Sequence, residues 1–110
     1  MGEAYAERLY EKQGYRILEK NYYVRGGEID LIAENGEYIV FCEVKLRDVG
    51  SLGVPAEAVT RQKQRRIIHA ALCYLGSYDV ALQPRFDVVA ITSLGGKILS
   101  HEWIEDAFSV

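Results

Sequence analysis

The feature that most restricts this chain is a pair of alternating segments joined by Asn35-Gly36. Glu28 to Ala33 and Tyr38 to Leu46 each read as strands, and Asn-Gly between two such runs is the strongest short-range hairpin signal. A two-residue turn pairs Glu34 with Glu37, which sets Asp30 opposite Phe41 and Glu28 opposite Glu43. Alternate strand residues share a face. Glu28, Asp30, Glu43 and Lys45 then collect on one side of the sheet. Ile29, Leu31, Val40, Cys42 and Val44 collect on the other, as a core face. Asp30 and Glu43 become diagonal neighbours, with Cβ atoms within roughly 7–8 Å. A slip of one residue would turn the apolar set outward, so the pattern itself supports the pairing.

Three carboxylates gathered beside one lysine repel one another unless something neutralises them. Two readings stand. One is a salt-bridge ladder in which Lys45 balances Glu43. The other is a cation site. Mg²⁺ takes oxygen ligands, commonly one or two carboxylates plus waters and a substrate phosphate. A lysine beside it orients the attacking water or stabilises charge developing on the phosphate. Two acids and a lysine are the minimum kit for metal-assisted phosphodiester hydrolysis.

Around the hairpin, residues 3–13 carry Ala6, Leu9, Tyr10 and Gln13 at helical spacing, with Gly14 just past the end. Tyr15 to Tyr23 is β-rich. Residues 48–55 form a loop, and a long helix follows from about Glu57 to Leu75, with Ile68, Ala71, Leu72 and Leu75 as its buried stripe and Gly76 as its stop. Arg85 to Ile91 reads as a strand buried on both faces. Gly95-Gly96 turns into a last strand, about Lys97 to Trp103. The order is αβββαββ, a mixed sheet with a helix packed on each side and a single domain over residues 1–110.

At 49% hydrophobic the chain can bury a core without staples. Cys42 and Cys73 are far apart in apolar stretches and read as reduced thiols of a cytoplasmic protein. No apolar run spans a membrane, and the start lacks the basic-then-apolar pattern of a signal peptide. The net charge of −3 argues against a nucleic-acid partner, but its distribution argues the other way: Lys45 to Arg66 holds six basic and two acidic residues. Arg47, Lys63 and Arg66 in this segment either face phosphates or form a solvated surface.

Gly27-Glu28-Ile29-Asp30-Leu31-Ile32-Ala33, followed by Val40-Phe41-Cys42-Glu43-Val44-Lys45-Leu46-Arg47, resembles the restriction-endonuclease-like PD-(D/E)XK signature. More narrowly, the chain resembles the YraN-like bacterial proteins, an uncharacterised family related by sequence to archaeal Holliday-junction resolvases. The match includes Gly2-Glu3, Gly14 to Leu18, Ala58-Val59 with Lys63, and Arg85 to Val89. It departs from the general signature at Ile29, where that signature has proline, and at Leu46, where the YraN-like group often has threonine. The resemblance implies a three-layer α/β/α domain. It implies Mg²⁺ or Mn²⁺ held by Asp30, Glu43 and the Val44 carbonyl, with Lys45 as catalytic lysine and Glu3 as a further acid from the first helix. Glu28 stands as an accessory acid.

Tyr22, Tyr23 and Arg25 precede the site, where they either stack on an unpaired base or pack at a strand end. His69 and His101 have no partner at ligand spacing. Asp87 follows the family pattern without an assigned role. Three functions follow for testing: an endonuclease acting on branched or single-stranded DNA, a nucleic-acid-binding module with absent or conditional cleavage, and a dimeric scaffold. For a homodimer, Ile98, Leu99, Trp103, Ile104 and Phe108 are the candidate contact. They serve equally as closure of the chain's own core.

Overall fold

A computed structural model describes residues 2–49 and 59–110. The elements run α1 (Gly2–Lys12), β1 (Arg16–Val24), β2 (Gly27–Glu34), β3 (Tyr38–Asp48), α2 (Arg61–Ser77), β4 (Gln83–Leu94) and β5 (Lys97–Phe108). The strands form one five-stranded sheet in the order β1-β2-β3-β4-β5. All neighbours are antiparallel except β3 and β4, which run parallel and are joined through α2. Antiparallel strands need only a turn, whereas a parallel pair needs a long crossover. The one helix-length insertion between strands falls at the one parallel step.

Each face of the sheet packs on one helix. Ala6 and Tyr10 of α1 bury Leu31, Ala33, Val40, Cys42, Val89 and Ile91. Ile67, Ala70, Ala71 and Tyr74 of α2 bury Ile29, Ile32, Ile39, Phe41 and Phe86. The α2 stripe is therefore not the expected one: Ala71 is buried, but Leu72 is 57% exposed. The helix also begins later and ends later than its sequence suggests. Thr60 caps it, its Oγ1 accepting the Lys63 N–H at 3.1 Å, and Gly76 lies inside its last turn. Asp, Ser and Thr stop a helix from extending backwards because their side chains take the orphan N–H groups. The expected start at Glu57 lies outside the described residues. Gly27 sets how close α2 comes: a Cβ there would sit 2.3 Å from the Arg66 carbonyl oxygen.

The hairpin register differs from the expected one by two residues. Glu34 pairs with Ile39, Ala33 with Val40, Ile32 with Phe41 and Leu31 with Cys42. A two-residue type I′ turn needs positive φ at both central residues, and here Gly36 has it (91°) while Asn35 does not. Instead the Asn35 side chain accepts the N–H groups of Glu37 and Tyr38, at 3.0 and 2.8 Å, and opens the turn to four residues. A shift of two preserves each side chain's face, and it moves Asp30 from opposite Phe41 to the position opposite Glu43.

The late strand also differs. β5 runs on to Phe108, and Ile98 and Trp103 pack on the α1-side core while Phe108 packs on the α2-side core. These three close the chain's own cores; Leu99 is exposed.

Candidate functional site

The rungs between β2 and β3 stop at Leu31–Cys42. One residue further, the Asp30 carboxylate takes the place of a backbone rung: its Oδ2 accepts the Val44 N–H at 2.8 Å. This register sets Asp30 across from Glu43, not across from Phe41 as the shorter turn would. A strand residue's N–H and C=O point to the same edge. The Val44 carbonyl is therefore aimed into the same gap, past the last rung.

A second irregularity prepares this gap. β1 pairs Lys20 with Leu31 and Tyr22 with Ile29, so Asn21 faces Asp30, and Asn21 has a φ of 52°. Asparagine is among the few residues that adopt this left-handed conformation readily. Alternation in β2 breaks at the same level. Leu31 packs on the α1 side, but Ile29 packs on the α2 side, not on the Leu31 face where strict alternation would put it.

Glu43 stands on the α2 face, where the core gives way to charge. It is only 4% exposed. Its Oε2 lies 3.6 Å from Lys63 Nζ and 3.9 Å from Lys45 Nζ, while its buried Oε1 has no hydrogen-bond partner. Lys63 Nζ also donates to Glu28 Oε1 at 3.1 Å. Burial pushes the Glu43 carboxyl up from 4.5 to about 7, with the neighbouring Asp30 charge adding to the rise and the two lysines opposing it. Burial by itself lowers the Lys63 ammonium, but the carboxylates of Glu43 and Glu28 outweigh it and leave it above the usual lysine value.

The donors here suit a hard divalent cation: two carboxylates and a backbone carbonyl, all oxygen. The orphaned Oε1 is a buried acceptor of the kind a cation satisfies. Among the described residues no three His, Cys, Asp or Glu side chains are grouped to hold a metal ion. Any cation would need waters or a phosphate to complete its shell.

The other sequence candidates are spread about this centre. Glu3 is half-buried in the first turn of α1. That turn lies over the far side of β3: a Cβ on Gly2 would sit 3.5 Å from Val44 Cγ1 and 3.8 Å from Leu46 Cβ. Arg47 and Arg66 are exposed. Arg25 is exposed, and its carbonyl accepts a 3.0 Å bond from His69 Nε2, which ties α2 to the β1–β2 turn. Tyr22 packs edge-on against Tyr74, whereas Tyr23 is exposed. His101 pairs with the Tyr5 hydroxyl at 2.7 Å.

Asp87 is fully buried and organises the opposite end of the α1 face. Its carboxylate accepts from Tyr10 Oη (2.7 Å), Arg85 Nε and Nη2 (both 2.9 Å), Trp103 Nε1 (2.9 Å) and the Asp106 N–H (3.1 Å). This satisfied network welds α1, β4 and β5 together. An acid and an arginine two residues apart in a strand-like run was the available clue, since such a pair shares one face.

A family model described as "Uncharacterised protein family UPF0102" matches residues 2–91. The chain is 44% identical to a UPF0102 protein of Hahella chejuensis, over 97% of this chain and 86% of that protein. It is 45% identical to one of Geobacter sulfurreducens, over 99% and 86%. It is 45% identical to the UPF0102 protein YraN of Salmonella arizonae, over 97% and 80%. On matches of this identity and extent, the chain belongs to the UPF0102 family, the YraN-like proteins.

Proposed function

We propose that this protein is a Mg²⁺- or Mn²⁺-dependent endonuclease of restriction-endonuclease-like fold that hydrolyses phosphodiester bonds in branched or single-stranded DNA. The observation that carries the reading is the Glu43 carboxylate. It is buried, has one oxygen unpartnered, and lies beside Asp30 and within 4 Å of two lysines. A salt-bridge ladder would leave its carboxylates in water, where pairing is worth little and burial costs nothing. Burying this one is unfavourable in the resting protein and becomes useful once a cation is present.

Asp30, Glu43 and the Val44 carbonyl would hold the metal ion. When bound, it supplies positive charge against the negative charge that builds on the phosphate. Hydrolysis joins a water oxygen to phosphorus, breaks one P–O bond, and requires a proton to leave the water and another to reach the departing oxygen. Lys45, on the same face as Glu43 and one-third exposed, would orient that water. The exposed Arg25, Arg47 and Arg66 supply contacts to the DNA backbone outside the site. Two such cuts on a four-way junction call for a two-fold homodimer.

The test is cleavage of labelled junction, flap, single-stranded and duplex DNA with Mg²⁺ or Mn²⁺, beside light scattering for mass. Wild type should cut at least one substrate, and Asp30→Asn and Lys45→Ala should cut none. Absence of cutting on every substrate with both metals would sink the assignment. A monomeric mass would remove the dimer alone.

A further inference from the structure

Resting on that reading, we propose that Lys63, held in place by Glu28, is a second phosphate-contacting cation inside the site and not part of the outer basic surface. Three observations support it.

The first is where the side chain goes. Arg61, Arg65 and Arg66 of the same helix are exposed, whereas Lys63 is turned inward. Its ammonium is 3.1 Å from Glu28 Oε1 and 3.6 Å from Glu43 Oε2. Lys45 approaches that same Glu43 oxygen at 3.9 Å. The two ammonium groups flank one carboxylate, and a phosphate bridging to a cation at Glu43 would lie within reach of both.

The second is the helix end. The first turn of α2 has no acid and begins with Arg61 and Lys63. Cations at a helix N-terminus oppose the macrodipole and reduce helix stability. The loss is tolerable where an anion is to be received, since the dipole and the lysine then act with the same sign.

The third is donor arithmetic. A lysine ammonium has three N–H donors and no acceptor. Glu28 takes one at hydrogen-bond distance, while Glu43 Oε2, at 3.6 Å, is a charge contact beyond that distance. Glu28 fixes the ammonium without using up its donors, so it is a positioning residue. Thr60 fixes the backbone beneath, by accepting the Lys63 N–H.

The experiment compares wild type with Lys63→Met, Lys63→Arg, Glu28→Gln and the Lys63→Met/Glu28→Gln double variant on single-stranded and junction DNA with Mn²⁺. Mn²⁺ affinity is measured separately by calorimetry. Lys63→Met should lower kcat by about 10²-fold, the scale for removing one preorganised donor, with Mn²⁺ affinity not weakened. Lys63→Arg should recover part of the loss. Glu28→Gln should lower kcat by less, and the double variant should be no worse than Lys63→Met, because both act through one group. A wild-type kcat in Lys63→Met, or a loss that vanishes at saturating Mn²⁺, would overturn the proposal. If wild type cuts nothing, the nuclease reading fails and Lys63 is judged by binding instead. A 5′-phosphorylated single-stranded oligonucleotide titrated with Ca²⁺ present should then bind Lys63→Met about tenfold more weakly than wild type. Equal binding, or none to either protein, would overturn it.

Discussion

Replacing Glu43 by glutamine should stabilise the metal-free protein at high pH and leave it nearly unchanged at low pH. Glu43 carries a carboxyl raised from 4.5 to about 7. The folded protein therefore holds a proton that the unfolded chain has released between those two values. Linkage makes stability fall with rising pH across that window, at about 1.4 kcal/mol per unit. Below 4.5 both states are protonated and the group has no effect. Above about 7 the penalty is complete, about 3 kcal/mol. Glutamine is isosteric and does not ionise, so the difference between wild type and Glu43→Gln reports the Glu43 titration together with its interaction with Asp30 and the two lysines. Urea unfolding from about pH 4.5 to pH 8 should show Glu43→Gln gaining on wild type by about 3 kcal/mol. With Glu43 in the proposed role of ligand, Mg²⁺ or Mn²⁺ would bind the ionised form, and the metal should return the loss to wild type alone, by about 2.7 kcal/mol at a concentration 100 times Kd. A difference between the two proteins that stays flat across this pH range would refute the account of Glu43 as a buried, under-neutralised acid. A metal-induced gain of equal size in Glu43→Gln would refute its role as a ligand.

Two further outcomes follow from the parts that hold the site. Asp87→Asn removes the charge opposite Arg85 inside a fully buried network, so it should destabilise by about 3–5 kcal/mol in urea unfolding; a change below about 1 kcal/mol would show the network to be unimportant. Asn21→Gly should leave stability and Mn²⁺ affinity near wild type, whereas Asn21→Val forces a β-branched residue to φ 52° and should lose about 1–2 kcal/mol. The valine variant should also bind Mn²⁺ more weakly, read by calorimetry, because Asp30 is no longer presented; an unchanged affinity would separate the kink from the site.

The sequence makes the elements of this fold legible because turn and cap residues fall between the apolar runs. It also makes the shared face of Glu43 and Lys45 legible, since alternation within one strand does not depend on register. What it conceals is wherever a side chain replaces a backbone partner. The Asn35 side chain captures two N–H groups and lengthens a turn that the Asn-Gly pair alone suggests is shorter. Thr60 starts α2 later than the apolar pattern does. The Asp87 carboxylate receives the Asp106 N–H where β4 and β5 fall out of register, which carries β5 past Trp103. These are long-range or side-chain-specific bonds, and periodicity contains no term for them.

The same substitution of side chain for backbone is what makes a site out of an ordinary hairpin. A regular ladder would have continued past Leu31–Cys42 to an Ile29–Val44 rung, satisfying backbone groups and leaving no gap. Here Asp30 takes the Val44 N–H instead, so the strands separate at the level where two carboxylates meet. The Val44 carbonyl is left aimed into that gap. Separation carries a stability penalty, in lost rungs and in a buried acid with an unpartnered oxygen. The rigid parts around it offset that penalty: α1 and α2 clamp the sheet on both faces, and the Asp87 network locks α1 to β4 and β5. Asp30 and Glu43 can therefore be held close in the absence of a cation, which is the preorganisation that the proposed hydrolysis would require.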